Sequence, residues 1–171
     1  MVRSMDETLN SIIGNLTNYN AIIVCDGSGT IFKKACGYAA ILIHNVGDLS
    51  HEVVIGGDSH GTNNFAELFP VVKCLWLLRN LRPGSQNLKI AVISDSEWVI
   101  KTGRAEYSLD LEKPNAILWE SIKFAREQWS YAVTWIHVSR NSNPYNTLCD
   151  ELSKTIRINL QETKECLQNL P

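Results

Sequence analysis

Hydrophobic residues in the first third of the chain occur in short runs that turn-forming residues separate. The first run, residues 21–25, is rich in β-branched side chains and stops at Asp26-Gly27-Ser28-Gly29. Two more runs follow at residues 37–44 and 51–55, and the segments between the runs contain Gly, Asn and Asp. Short apolar runs with such boundaries predict β-strands, and their short connections favour an antiparallel meander of three strands.

From residue 62 onward the apolar positions recur at the spacing of an α-helix. A helix is predicted over residues 62–80, with Thr62 or Asn63 as its N-cap. Asn143 followed by Pro144 is a typical start of another helix. The remaining patterns predict a strand at 88–94, a short helix at 97–102, a helix at 114–128, a strand at 132–138 and the last helix at 144–167.

The predicted order of elements is β-β-β-α-β-α-α-β-α. It follows an N-terminal extension over residues 1–19, which we expect to be a loose appendage with a frayed helix. An antiparallel front half followed by βαβ units predicts one α/β domain over residues 20–171. Its five-stranded mixed sheet would have three antiparallel strands, then two parallel ones, with helices packed against it.

The chain has 171 residues with 16 Lys and Arg against 18 Asp and Glu, a formal net charge of −2. This charge disfavours a polycation that binds nucleic acid by bulk attraction. Five cysteines without a C-x-x-C pair fit neither a disulfide scaffold nor a zinc ribbon, and they favour reduced thiols. Since the N-terminus has no signal pattern and no apolar run is long enough for a bilayer, we expect a cytoplasmic protein without membrane contact.

Two predicted strands end in an aspartate, Asp26 after the first and Asp95 after the fourth. The carboxyl ends of strands in an α/β sheet form the edge where ligands bind, so parallel neighbours would bring these acids face to face. Each also has an ordinary interpretation, a turn for Asp26 and a helix cap for Asp95. Glu67 and Asp150 lie near the starts of two predicted helices, where a helix-dipole interaction or a solvated surface position would explain them.

Convergence of all four carboxylates would require a neutralising charge, because repulsion would otherwise protonate one or more of them. Hard divalent cations with oxygen ligands meet this need, whereas the lack of a thiolate and histidine cluster disfavours zinc. A carboxylate cluster with room for two ions roughly 3.5–4 Å apart is the arrangement used for phosphodiester cleavage.

The motifs around these acids resemble those of type 1 ribonuclease H, over residues 20–158. The resemblance implies a ribonuclease H-like three-layer fold. It also implies that the four acids bind two Mg²⁺ or Mn²⁺ ions and cleave the RNA strand of RNA–DNA hybrids, leaving 5′-phosphate and 3′-hydroxyl ends. The motifs, in chain order, are Asp26-Gly27-Ser28, Thr62-Asn63-Asn64-Phe65-Ala66-Glu67-Leu68, Ile93-Ser94-Asp95-Ser96, and Asn143-Pro144 leading to Asp150-Glu151-Leu152.

Substrate contacts are expected from a polar run, Thr62, Asn63 and Asn64, at a helix N-terminus. Backbone N–H groups and side-chain amides there can meet a phosphate or a base edge, and N-capping accounts for only one of the three. Asn115 matches the family asparagine that helps to hold a phosphate of the DNA strand, although a polar helix start explains it equally well. We expect a monomer that recognises the RNA strand by its 2′-hydroxyls and uses no small-molecule cofactor.

The chain departs from the family pattern in the loop before the last helix. Many members carry a histidine there, and residues 138–143 contain none. Arg140 is our candidate for its role, because an arginine can hold a phosphate, while His137 is expected to be packed at the strand end. The connector over residues 104–112 is too short for the basic protrusion of many bacterial members, and Lys33-Lys34 would compensate only locally.

These departures keep two further hypotheses open. The first is a catalytically weak or inactive ribonuclease H-fold domain that binds nucleic acid. The second is another nuclease of the same fold, but the exonucleases need D-x-E on the first strand, and Ser28 stands two residues after Asp26. Glu97 replaces a glutamine that is common in the family, and we expect it to add a carboxylate near the metals.

Overall fold

The computed structural model describes residues 5–29, 35–106, 112–113 and 115–168. The strands are β1 (Ala21–Ser28), β2 (Cys36–Asn45), β3 (Ser50–Asp58), β4 (Lys89–Ser94) and β5 (Ala132–His137). The helices are α1 (Met5–Ile13), α2 (Asn63–Leu81), α3 (Glu97–Gly103), α4 (Ala116–Gln128) and α5 (Pro144–Gln168), and a 3-10 turn (Leu16–Asn18) precedes β1. Lys33 and Lys34, suggested above as a local basic site, and residue 114, the predicted start of a helix, lie outside the described residues.

The strands form one mixed sheet in the order β3-β2-β1-β4-β5. β2 pairs antiparallel with both β1 and β3, whereas β4 lies parallel to both β1 and β5. The predicted fold class is therefore confirmed. Val24 of β1 pairs with Ile93 of β4, which places the carboxyl ends of these two strands at the same edge of the sheet.

Helices cover both faces of the sheet, and the alternation of side chains along the central strand explains why. Ile23 and Cys25 of β1 pack with the residues of α2, α3 and α4, whereas Ile22 and Val24 pack with those of α1 and α5. All four side chains are fully buried. A strand that is apolar on both faces needs cover on both, so the sheet becomes the middle of three layers.

Two strands are longer than their apolar runs. β1 continues through Asp26 to Ser28, and β3 continues to Asp58, so the predicted ends at residues 25 and 55 are wrong. Asp26 pairs with Ala39 of β2, and the antiparallel ladder holds the polar end of β1 in the sheet. In β3, Gly56 pairs with Tyr38, whose ring occupies the space that a side chain at residue 56 would need.

The expectation that the N-terminal helix is a loose appendage is wrong, because α1 packs into the core. Leu9 of α1 is fully buried in the core beneath the sheet, together with Leu16. The side-chain oxygen of Asn10 accepts a hydrogen bond from the Leu16 backbone N–H at 3.0 Å, which ties α1 to the following turn. The division at residue 20 stays a prediction. Within the described residues, no helix combines the length and the hydrophobicity that a membrane span needs.

Gly27 sets the distance between β1 and the start of α2. A Cβ atom at this position would lie 2.4 Å from the carbonyl carbon of Ala66 and 2.4 Å from the backbone nitrogen of Glu67. Both are backbone atoms, so no side-chain rotation can relieve the clash. The absent side chain therefore permits the close approach that brings Asp26 on β1 next to Glu67 on α2.

We predict that Gly27→Ala lowers the free energy of unfolding by about 1–3 kcal/mol, the usual cost of overpacking, because α2 must move away from β1. Urea denaturation followed by circular dichroism measures it. Gly47→Ala is the matched control, since the nearest atom to its added Cβ is 3.5 Å away. Equal unfolding midpoints for the two variants would show that this approach is not tight.

Candidate active site

Three acids from three elements meet at the carboxyl edge of β1 and β4. Asp26 lies on β1, Glu67 in the first turns of α2, and Asp95 directly after β4. One carboxylate oxygen from each lies within 4.8 Å of those of the other two. No other group of three or more His, Cys, Asp or Glu side chains meets in this way within the described ranges. The structure thus brings together three of the four acids that the sequence singled out.

Two carboxylate oxygens in this group are buried and have no hydrogen-bond partner, Oδ2 of Asp26 and Oε2 of Glu67. The second oxygen of each carboxylate is bound: Oδ1 of Asp26 accepts from the Gly27 backbone N–H at 2.7 Å, and Oε1 of Glu67 accepts from the Asn63 amide at 3.4 Å. A buried acceptor without a partner is costly. The cluster therefore lacks a positive partner for its oxygens.

Burial raises the pKa values of all three acids, and repulsion from neighbouring carboxylates adds to it. Burial, followed by the charge of Asp95, raises the pKa of Asp26 from 3.8 to about 7. Burial and the neighbouring Asp26 raise the pKa of Glu67 well above its usual range. Burial also raises the pKa of Asp95. Each shift reports that the ionised group is disfavoured where it stands.

A divalent cation fits this donor set. Carboxylate oxygens are the ligands that hard cations such as Mg²⁺ and Mn²⁺ prefer, and the unpartnered oxygens of Asp26 and Glu67 are available for one. A cation would also offset the repulsion that raises the three pKa values. The structure supports the expectation of a metal site at this edge on the chemistry of its donors, while the number and identity of the ions stay predictions.

Asp150 lies outside the group of three. Its Oδ1 accepts from Nη2 of Arg140 at 2.7 Å, and its Oδ2 accepts from Nζ of Lys154 at 2.5 Å. Burial alone would raise the pKa of Asp150, but these hydrogen bonds and the two positive charges lower it. The repulsion of Asp150 nonetheless contributes to the raised pKa values of Asp26 and Asp95, so the fourth acid is close enough to interact with the cluster.

The sequence analysis also made predictions for Arg140, His137 and Glu97, three residues expected near the metal cluster. Arg140 is exposed and borders the carboxylate cleft, where its charge favours the ionised forms of Asp26 and Asp95. His137 is exposed rather than packed, with Nε2 3.2 Å from the backbone carbonyl oxygen of Asp95. Glu97 does not join the carboxylate group, because it is exposed and forms an ion pair with Lys101 at 2.6 Å.

The three polar residues at the start of α2 make different contacts. Oγ1 of Thr62 accepts from the Phe65 backbone N–H at 3.2 Å and caps the helix. Oδ1 of Asn63 accepts from the Gly29 backbone N–H at 3.1 Å, while its amide reaches Glu67. Asn64 is exposed, and its side chain forms no hydrogen bond within the described structure. It is therefore the member of the run that is left for an external partner.

Asn115 is not placed at the carboxylate cleft. It is half-buried at the N-terminus of α4, and its side chain makes no capping hydrogen bond. The cleft has a volume of about 360 Å³, and Asn115 is not among the residues that border it. Those residues are Asp26, Gly27, Ser28, Gly29, Asn63, Glu67, Asp95, Ser96 and Arg140.

The sequence did not point to two basic residues of α5 that lie near the site. Lys154 binds Asp150 one helical turn away. Their spacing of four residues on a predicted helix is the sequence pattern that would have indicated this ion pair. Arg157 donates from Nε to the Ser28 hydroxyl at 2.9 Å across a separation of 129 residues. No sequence spacing indicates that contact, since it depends on how α5 lies across β1 and β2.

The sequence model of the RNase H family matches residues 18–157, and the chain belongs to that family. Its members generally depend on divalent metal ions, which agrees with the acidic cluster. A comparison with curated proteins finds no match.

Solved structures of type 1 ribonucleases H share the fold. LC11-RNase H1, solved in complex with an RNA/DNA hybrid, is 18% identical with a TM-score of 0.69, covering 81% of this chain and 97% of that one. The N-terminal RNase H domain of Rv2228c from Mycobacterium tuberculosis is 20% identical with a TM-score of 0.69, covering 85% and 99%. RNase H1 from the halophilic archaeon Halobacterium salinarum NRC-1 is 21% identical with a TM-score of 0.56, covering 81% and 98%.

We predict that the metal-free protein becomes more stable as the pH falls from about 8 to 5. The folded state holds the pKa of Asp26 at about 7 against an ordinary value of 3.8, so it binds more protons than the unfolded state between these values. Stability therefore decreases as the pH rises through this window, by roughly 1–3 kcal/mol for this group. Urea titrations in chelator across the pH range measure it.

Asp26→Asn should remove the part of this pH dependence that Asp26 contributes and raise the stability at pH 8, while Glu67 and Asp95 keep the part that burial gives them. Asp48→Asn is the control, because Asp48 is exposed and its pKa is lowered by hydrogen bonds from Ser50. The same pH profile in wild type and Asp26→Asn would contradict the assignment of the dependence to this carboxyl.

Proposed function

We propose that this chain is a metal-dependent endonuclease that hydrolyses the RNA strand of RNA–DNA hybrids and leaves 5′-phosphate and 3′-hydroxyl ends. The observation that carries the proposal is the group formed by Asp26, Glu67 and Asp95. One carboxylate oxygen of each lies within 4.8 Å of the others, and both Asp26 and Glu67 have a buried oxygen without a partner. Membership of the RNase H family supports the reaction class.

The three acids would hold Mg²⁺ or Mn²⁺, two ions in the full complement. Bound divalent cations supply Lewis-acid stabilisation of the phosphoryl group and acidify the attacking water. The role of the chain is to fix the acids in place before substrate arrives, so that little reorganisation is needed during the reaction. Asp150 contributes a carboxylate that is ionised at neutral pH, because Arg140 and Lys154 lower its pKa.

Arg140 would act on the substrate rather than as an acid or base. Its guanidinium stays charged at all relevant pH values, so it cannot relay a proton as a histidine does. It borders the cleft, and it remains largely exposed while it is bound to Asp150. We infer that it holds a phosphate of the cleaved strand through its remaining N–H donors.

Recognition of the hybrid would use the rim of the cleft. Ser28, Gly29 and Asn63 border it, and the exposed Asn64 follows Asn63 at the start of α2. Hydroxyl, amide and backbone N–H groups of this kind can contact the 2′-hydroxyls and phosphates of a shallow minor groove. LC11-RNase H1 was solved with an RNA/DNA hybrid, and the shared fold supports the same substrate class here. A monomeric, cytoplasmic protein stays our prediction.

A nucleic-acid-binding domain with weak or no activity is the second candidate. The observation that favours it is the loop between β5 and α5, where residues 138–143 contain no histidine. Asp150 is also engaged by two cationic side chains rather than with the other acids. Hybrid binding without cleavage in either metal would favour this candidate.

We predict that wild-type protein cleaves the RNA strand of a labelled hybrid in Mg²⁺ or Mn²⁺ at low salt, and that Asp26→Asn lowers the rate by about 10²–10³-fold. Asp48→Asn, an acid-to-amide change on an exposed turn, should keep the wild-type rate. Circular dichroism should show that both variants fold. Comparable cleavage by Asp26→Asn, or no cleavage by wild type in either metal, would contradict the proposal.

We predict that Asn64→Ala weakens hybrid binding about fivefold without changing the unfolding midpoint, because its side chain has only an external partner to lose. Asn63→Ala should weaken binding and also lower the midpoint, since it loses the hydrogen bonds to Gly29 and Glu67. Fluorescence anisotropy in Ca²⁺ and urea denaturation measure the two effects. Unchanged hybrid affinity in Asn64→Ala would remove this residue from the substrate site.

A further inference from the structure

A second cleft lies between α3, α4 and β5, apart from the carboxylate cleft. Its volume is about 420 Å³, within the range of small-molecule sites. The end of α3 forms one side with Thr102 and Gly103, α4 contributes Trp119 and Ile122, and β5 contributes Trp135. None of the acids of the metal cluster borders it.

Three unpartnered polar atoms belong to residues that border this cleft. They are Nε1 of Trp119, Nε1 of Trp135 and Oγ1 of Thr102, and each is buried without a hydrogen-bond partner. Trp119 and Trp135 are only 7% and 5% exposed. An indole N–H can only donate, and the described structure supplies neither indole with an acceptor. The carboxylate cleft has the opposite deficit, namely acceptors without a positive partner.

The apolar walls of the cleft are held by packing. The rings of Trp119 and Trp135 lie 5.5 Å apart between centroids, and Trp98 packs against Trp119 at 6.0 Å. A Cβ atom at Gly103 would come within 2.3 Å of the Trp135 ring, so the end of α3 rests directly on the indole. These contacts restrict ring rotation and preserve the shape of the wall.

The rim of the cleft is positively charged. Lys123 and Arg126 of α4 border it and are exposed, against one acid, Glu120. Glu127 lies 3.8 Å from Lys123, a weak and solvent-exposed pair that leaves the ammonium group accessible. Apolar aromatic walls and a cationic rim together complement one kind of molecule, an aromatic body that carries an anionic group.

We propose that this cleft binds a small organic anion with an aromatic body. The body lies against Trp119, Ile122 and Trp135, and its anionic oxygens meet Lys123 and Arg126. The site is independent of the nuclease proposal, because it shares no residue with the carboxylate cleft.

The test uses the full chain and 1-anilinonaphthalene-8-sulfonate, an aromatic sulfonate whose fluorescence rises in apolar surroundings. We expect saturable binding at one site per chain. Lys123→Met combined with Arg126→Met should weaken binding about tenfold, the scale of charge-assisted contacts. The uncharged analogue N-phenyl-1-naphthylamine should bind wild type and this double variant equally, because it lacks the sulfonate.

Trp119→Phe keeps an aromatic wall and removes one donor. It should weaken binding of the sulfonate and of the uncharged analogue alike by about threefold or more, because it reshapes the wall, and it should lower the unfolding midpoint, because the smaller ring leaves a cavity in the core. Trp76→Ala is the control, because Trp76 and Phe124 form a separate exposed aromatic pair to which the sulfonate could also bind. This variant should bind the sulfonate as wild type does.

Three results would overturn the proposal: no saturable binding, an affinity that the charge variants leave unchanged, or a loss of binding in Trp76→Ala. Should Trp119→Phe fail to fold, the exposed double variant at Lys123 and Arg126 still decides the question, because those side chains support no core packing.

Discussion

Repulsion among three clustered carboxylates, two of them buried and one half-buried, is the constraint on which the rest of this structure depends. If they were free to move, the carboxylates of Asp26, Glu67 and Asp95 would move apart. The fold prevents this by fixing the elements that carry them. Asp26 is fixed in the ladder between β1 and β2, and Glu67 follows the backbone contact that Gly27 permits. The apolar core on both faces of β1 supplies the stability that holds these ionisable groups close together.

The cationic side chains are placed around this cluster rather than inside it. Arg140 and Lys154 occupy both oxygens of Asp150, and Arg157 is held by the Ser28 hydroxyl at the rim. Asp26 and Glu67 therefore keep unpartnered oxygens, whereas the ionised Asp150 is already paired with two cations. Positive charge beside an acidic cleft, with Arg140 at its border, suits a polyanionic substrate whose reacting phosphate must approach carboxylates.

The sequence predicts the inner site better than its surroundings. Asp26 and Asp95 follow apolar runs, and the rule that ligands bind at the carboxyl ends of strands places them together without any coordinates. The burial of Leu9 and the ends of β1 and β3 could not be predicted, because they depend on pairing with β2 and packing across the sheet. The Arg157 contact and the indole cleft likewise join residues that are distant in the chain, so no local pattern reveals them.

The central claim is that the three acids form one site for a divalent cation. A crystal structure of the protein grown with Mn²⁺ and an uncleavable RNA–DNA hybrid, phased to give an anomalous difference map, tests it most directly. The account predicts a manganese peak between Asp26, Glu67 and Asp95, at coordination distances of about 2.0–2.3 Å from their oxygens. A map with no peak among these carboxylates, or with manganese bound only elsewhere on the chain, would contradict it.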